Sequence, residues 1–515
     1  MAGFREEKTR NVIPNWRSFS TTAKIGEING TSNRNVELFL FPIKDYIDAW
    51  ASNKTIPFAS DLISAAITNG QSELPEVKKA AQYILENQDK ATSSQINTAF
   101  GIICQEQEDG EQTINYPIQK KLVHISNEDS IAKEKIRVIK KNNKLFLYNP
   151  IAYCELSWNY TILGNFKKAE SAMDIAVHLA PQSRYVSRSA ARLYLHIEEF
   201  DKAHNVVINN PWLKTDPWLL ASEIAINSLQ GRNSRFIKVG KSIINSNNYS
   251  PNSISELAGA IGTVELINGS VNNCKTFFKK GLIQPNDNCL AQAKWLVSEV
   301  PGINMMFSNY DYLTNKYEAD SRWAYYMDKY DLALFSALDW ISDMPFTKRP
   351  IQFASEMAYT YLHDYETAIS VLKIGLVSNP NDIALLNNLA YSYSLAGKTH
   401  DSDQVLSKIK TESPSLSKEI KLCLYATKGL NEFRKNNVEE GTFWYEKAID
   451  FAIEKKCDKE LINKAKLNFF REQVRSDSSN NDQIIHEIEE INSDNSKELK
   501  QLKKDVVDEI AKRKL

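Results

Sequence analysis

The chain has 515 residues, 42% hydrophobic and 25% charged, and its 63 basic residues nearly cancel its 64 acidic ones to leave a net charge of −1. That balance excludes a global field that would draw nucleic acid or membrane, and 18 glycines are too few for the many turns of a βα-rich enzyme of this size. Six scattered cysteines without a CxxC pair and seven histidines without HExxH offer no metal ligand set, no cofactor and no redox motif. The stretch MAGFREEKTRNVIPNWRSF carries charges without an apolar core segment, and no run of about 18 apolar residues occurs, so a cytoplasmic protein without a membrane span is expected.

Taken in order, residues 1 to about 35 are polar and aperiodic, which predicts a disordered start. NVELFLFPIKDYIDAWASN, IPFASDLISAAITNG and LPEVKKAAQYILENQ then read as three helices, each closed by Asn, Gly or a new Pro, so that 1–148 forms a helical cap region. EQEDGEQ, at 106–112, reads as an exposed loop. DSIAKEKIRVIKKNNKLF reads as a basic helix, with Lys133, Lys135, Arg137, Lys140, Lys141 and Lys144 in its 133–144 stretch.

From Pro150 the sequence repeats itself. NPIAYCELSWNYTILGNFKKAESAMDIAVHLAPQS is two amphipathic helices of about 14 residues, joined at Gly164-Asn165 and closed by Pro181. Leu156, Tyr160, Gly164, Phe166, Ala169, Met173, Ala176 and Pro181 fall where the 34-residue tetratricopeptide repeat places its packing residues, and the stretch resembles that family. Further units start near 184, 217, 255, 314, 349, 383 and 422. The clearest hold Tyr359, Tyr365, Ala368, Leu372 and Pro380, then Leu389, Tyr393, Gly397 and Pro414. CLAQAKWLVSEV sits in an interval of 59 residues and reads as a degenerate repeat. The resemblance implies an all-α, right-handed α-solenoid over 149–475, and RSDSSNNDQ opens a linker and carboxy-terminal helix over 476–515. There Ile484, Ile488, Ile491, Leu499, Leu502, Val506 and Ile510 form a stripe that slips between Ile491 and Leu499, which favours a helix packed on the last repeat over a zipper.

Two stretches imitate a phosphate loop, SYSLAGKT at 392–399 and RFIKVGKS at 235–242. The motif needs a glycine five residues before the second one, and Ser392 and Arg235 stand there instead. Gly397 therefore reads as the turn between two repeat helices. No catalytic constellation is present, so no enzyme activity is expected.

Stacked helix pairs line their inner surface with the first helix of each pair, and the resemblance implies that such a groove holds a peptide or protein partner, with an effector enzyme in a multi-component bacterial system as one such partner. Inward positions of the frame contribute Arg322, Tyr325, Tyr326, Phe353, Met357, Tyr361, Asn387, Tyr391 and Phe433, an aromatic wall suited to an extended segment or helix. Arg184, Arg188 and Arg192 form one basic stripe on the second repeat, with Arg188 and Arg192 inward, suited to carboxylate or phosphate. Such a stripe also suits a neighbouring helix's acids. The two-carboxylate clamp of some family members is not matched, because Asn387, Tyr391, Cys423 and Thr427 occupy its places. A nucleic-acid-contacting adaptor, using the basic helix 133–144 and the arginine stripe, is the second class of function; the balanced charge weighs against it.

Overall fold

The structure is a computed structural model. It describes residues 10–18, 43–68, 74–104, 118–141, 148–246, 248–300, 302–307, 310, 313, 315–411, 413–414, 416–476, 481–493 and 496–513. Among them the regular structure is helical, with no strand. EQEDGEQ and Lys144 lie outside the described residues.

The helix starts follow from capping chemistry. Asn149, Ser183, Asp216, Ser250 and Asn286 each accept a bond from a backbone N–H of the first turn that follows, and Pro150, Pro217 and Pro251 add a fixed φ at the first helical positions. These residues open the first helices Pro150–Ile162, Arg184–His196, Pro217–Leu229, Pro251–Ile267 and Asp287–Glu299. Each of the first four ends in a turn whose central residue has positive φ, followed by a second helix. Gly164 (66°) and Gly397 (75°) make such a turn as the sequence predicts, and in both the next N–H reaches back around it, Asn165 to the Tyr160 carbonyl and Lys398 to that of Tyr393, each at 2.9 Å. Glu198, Asp328, His363, Asn436 and Lys456 make the equivalent turn without glycine.

The fold is therefore an all-helical array of tetratricopeptide-like pairs, and it divides into two compact units, Thr9–Lys329 with Phe335–Thr347, and Tyr330–Leu334 with Lys348–Leu515. In the amino-terminal unit the pairs are Pro150–Ile162 with Phe166–Leu179, Arg184–His196 with Phe200–Ile208, Pro217–Leu229 with Ile237–Asn245, and Pro251–Ile267 with Val271–Gly281. Ala169, Met173 and Ala176 are buried where the repeat frame puts them. CLAQAKWLVSEV belongs to a full first helix, Asp287–Glu299, but the described residues between 300 and 316 are not helical, and Ile303 and Tyr310 pack into the local core instead. Helices Ile43–Ser52, Ile56–Thr68, Pro75–Glu86 and Ser93–Cys104 close on a core of their own around Trp50, Leu62, Ala80 and Ile84.

In the carboxy-terminal unit, Lys348–Glu356 continues into one π-helical turn, Met357–Tyr361, where the Leu362 N–H reaches the Met357 carbonyl five residues back. Pairs Ile383–Leu395 with Thr399–Leu406 and Lys418–Arg434 with Val438–Glu454 follow, then Lys459–Arg475. The terminal stripe is split between Asn481–Glu490 and Lys497–Arg513, with Ile491 just past the first of them, and all seven of its apolar residues are buried. Lys497–Arg513 packs against Lys459–Arg475, with Lys464 paired to Glu498 and Arg475 to Glu509 at 2.7 Å.

Both phosphate-loop look-alikes lie at or in helices. Lys398 pairs with Glu366 at 2.6 Å, and Lys241 with Glu265 at 2.7 Å. Among the described residues no helix is long and apolar enough to cross a membrane.

Candidate functional site

The extended segment Arg10–Ser18 lies against first helices of the amino-terminal unit, bonding residues of Pro150–Ile162, Arg184–His196 and Asp287–Glu299. The segment makes no helix or strand of its own. Its backbone is read by amides: Gln292 donates to the Arg10 carbonyl and Asn288 to the Ile13 carbonyl, each at 2.7 Å, while the Tyr185 hydroxyl donates to the Arg17 carbonyl at 3.1 Å. Asn288 and Gln292 lie four apart on one face of Asp287–Glu299, so a single helix spans the first turn of contacts.

The side chains are read by acids. Arg10, 1% exposed, has every guanidinium nitrogen engaged. Nε and one terminal nitrogen donate to the two Glu318 oxygens at 2.8 Å, and further bonds go to Gln292 Oε1 (2.7 Å), Asn288 Oδ1 (2.9 Å) and the Asn288 carbonyl (3.3 Å). This is the bidentate fork by which arginine recognises a carboxylate. Arg17 sits between two acids, bonded to Asp343 at 2.7 Å and to Asp287 at 2.6 Å. Burial works against the charge on Arg17, but Asp287 and Asp343 outweigh it and raise its pKa above the ordinary value. Burial pushes the Asp343 carboxyl up against the pull of Arg17. Asn15 donates to Asp287 at 2.8 Å and Ser18 to Glu155 at 2.7 Å.

Between the arginines the segment buries two large apolar side chains, Val12 and Trp16. Trp16, 1% exposed, meets Trp158 edge-on at 5.1 Å and Phe346 at 5.6 Å. Val12 is buried over Gly259, where a Cβ would stand 3.5 Å from Val12 and 3.2 Å from the Cys289 sulfur. Sequence reasoning missed this segment. The signal was present in NVIPNW, a tryptophan and three apolar neighbours in a stretch otherwise polar enough for disorder, flanked by two arginines.

The residues singled out from the sequence lie as follows. Arg184 pairs with Asp216 at 2.5 Å. Arg188 is buried and donates to Glu256 at 2.8 Å, the Trp218 carbonyl at 2.8 Å and Ser222 at 3.0 Å. Burial pushes Glu256 up in spite of Arg188. Arg192 is buried, bonded to Thr347 at 3.2 Å with its guanidinium 5.6 Å from the Phe346 ring. Arg322 shares Glu318 with Arg10. Tyr325 is half-buried, and Tyr326, 38% exposed, stacks on Trp323 at 5.3 Å. In the carboxy-terminal unit Phe353, Met357, Tyr361, Asn387, Tyr391 and Phe433 are all buried. Tyr361 stacks on Tyr330 at 4.1 Å, Tyr391 donates to Asn468 at 3.0 Å, and Asn387 accepts from Thr427 at 2.9 Å. The turn carrying Met357 and Tyr361 also touches the terminal helix Lys497–Arg513, whose Asp505 lies 3.5 Å from His363. On the basic helix Glu128–Lys141, Lys133 pairs with Asp129 at 2.9 Å and Arg137 with Glu134 at 3.4 Å. Among the described residues no group of His, Cys, Asp and Glu could hold a metal ion.

No family model and no curated protein matches this sequence. Solved structures similar to the chain include a tetratricopeptide repeat protein from Parabacteroides merdae, 14% identical over 61% of this chain and 95% of that one, with a TM-score of 0.28. Yeast Tom70 is 14% identical over 87% and 95% of the two chains (TM-score 0.27), and a human IFIT1 dimer with PPP-AAAA is 12% identical over 95% and 96% (TM-score 0.26).

Proposed function

We propose that the protein is a scaffold without chemistry of its own, which holds an extended segment of a protein partner on the inner face of its amino-terminal unit. The observation that carries this reading is the seating of Arg10–Ser18, with amides of Asn288 and Gln292 on the backbone and carboxylates of Asp287, Glu318 and Asp343 on the side chains. Backbone carbonyls look alike in every peptide, so amides that bond them grip any extended chain, and the acids then select its side chains. The wider setting implied by the repeat resemblance, a recognition part beside an effector enzyme in bacteria, goes with this reading. Arg188 and Arg192, expected as partner contacts, act in it as the wall that holds Glu256 and Phe346 in place.

The test is site-specific photo-crosslinking of the full chain in native extract. A photoreactive residue in place of Tyr185, which touches the Arg17 carbonyl, should give a discrete protein adduct, and the same residue in place of exposed Phe443 should not. Adducts at Phe443 alone would move the partner away from this face.

A further inference from the structure

The segment Arg10–Ser18 is bonded as a ligand is bonded, and what it leaves behind when it departs defines what can replace it. Among the described residues, Asp287 and Asp343 direct their side-chain hydrogen bonds to the segment alone. Glu318 is shared between Arg10 and Arg322. Lifting the segment out would leave the Asp287 and Asp343 carboxylates facing each other without the guanidinium between them, and Glu318 with one arginine in place of two. Like charges at close range in a partly dry site disfavour that state. Simple opening is therefore costly, and exchange for another guanidinium-bearing segment is not. Lysine is a poor substitute, because Arg10 makes five bonds in a planar fork where an ammonium has three donors from a single point.

We infer that the ligand class of this groove is an extended peptide with two arginines seven residues apart and an aromatic residue beside the second, and that Arg10–Arg17 is its resident competitor. This rests on the scaffold reading above and names the partner's chemistry. Exchange begins at the outer end, where Arg17 is 29% exposed and Ser18 is exposed, and finishes at fully buried Arg10.

A substitution in the groove wall would weaken resident and newcomer alike and cancel, so the informative changes are on the peptide side. The probe is a fluorescent synthetic peptide, RNVIPNWRS, titrated against the full chain and against Arg17→Ala, with circular dichroism and thermal melts confirming the fold of both. The peptide should bind Arg17→Ala at least tenfold tighter than the unaltered chain, and a version with lysine at both arginine positions should lose at least tenfold. No binding to folded Arg17→Ala, or equal binding of the lysine version, overturns the inference. Should Arg17→Ala not fold, hydrogen exchange on the unaltered chain decides: saturating peptide should speed exchange at residues 10–18, and no change there overturns it. A failure of the peptide together with a persisting crosslink at the Tyr185 position would leave the scaffold reading standing with a different ligand class.

Discussion

Removing Glu318 tests the heart of the site. Its carboxylate is buried and accepts two bonds from Arg10 at 2.8 Å, and it also lies 2.9 Å from two nitrogens of Arg322. Arg10 is 1% and Arg322 4% exposed, so Glu318→Ala leaves two buried guanidinium groups short of their acid. Breaking a buried pair from one side costs about 3–5 kcal/mol. Arg10 retains its bonds to Gln292 and Asn288, which places the expected loss toward the lower figure. Because Arg322 contributes to that loss, the part belonging to Arg10 must be isolated by a double-mutant cycle with Arg10→Ala. Contacting residues in such a network couple by about 0.5–3 kcal/mol, and two parallel charge-assisted bonds belong in the upper half of that range. The assay is urea unfolding followed by hydrogen exchange resolved by peptide, since two compact units can unfold in separate transitions. A loss below about 1 kcal/mol for Glu318→Ala, or a coupling below about 0.5 kcal/mol, would refute the claim that this fork anchors the segment.

Gly429→Ala should destabilise the carboxy-terminal unit by about 1–3 kcal/mol in the same assay, because the new Cβ would stand 2.7 Å from the Tyr445 ring and 3.1 Å from the Gly441 carbonyl. Tyr391→Phe should cost about 1 kcal/mol through the lost bond to Asn468, with no change in partner crosslinking at the Tyr185 position. Lys398→Ala removes an exposed pair with Glu366 and should cost less than about 1 kcal/mol, and calorimetry should find no ATP binding to either chain. The bond from Arg475 holds the Glu509 carboxyl down, from an ordinary 4.5 to about 2. A depressed folded pKa stabilises above the unfolded value and is lost as pH falls, so the terminal helix should loosen between about pH 4.5 and 2. Hydrogen exchange of 497–513 across that window should show it, and Glu509→Gln should abolish the Arg475-dependent part.

The repeat was legible because its packing residues are few and fixed. Ala169, Met173 and Ala176 recur at one spacing that only close helix contact requires. The turns were legible where glycine marks them and hidden where Glu198, Asp328 or Lys456 takes the same left-handed φ, since the bonds around the turn outweigh the roughly 1–2 kcal/mol a side chain loses there. The groove was less legible. A repeat frame states which face of a helix points inward but not what fills the space. Arg188 and Glu256 are 68 residues apart and come from different pairs, so their bond leaves no local trace. Arg10–Ser18 has no period at all, and its meaning lies in partners 137 to 326 residues away.

That separation has a consequence for how the chain is made. Arg10 and Arg17 leave a ribosome before their acids, at positions 287, 318 and 343, which follow some 270 to 326 residues later. At roughly 5–20 residues per second the nascent segment waits on the order of a minute or less before Asp343 exists to receive it. During that interval the helix pairs between can stack neighbour on neighbour, as repeat arrays do, but their inner face stays unfilled, with Trp158 and Gly259 uncovered. Completion of the amino-terminal unit is thus timed by translation, and synonymous codon changes that slow or hurry the passage from residue 150 to residue 343 should alter the yield of folded protein without altering one amino acid.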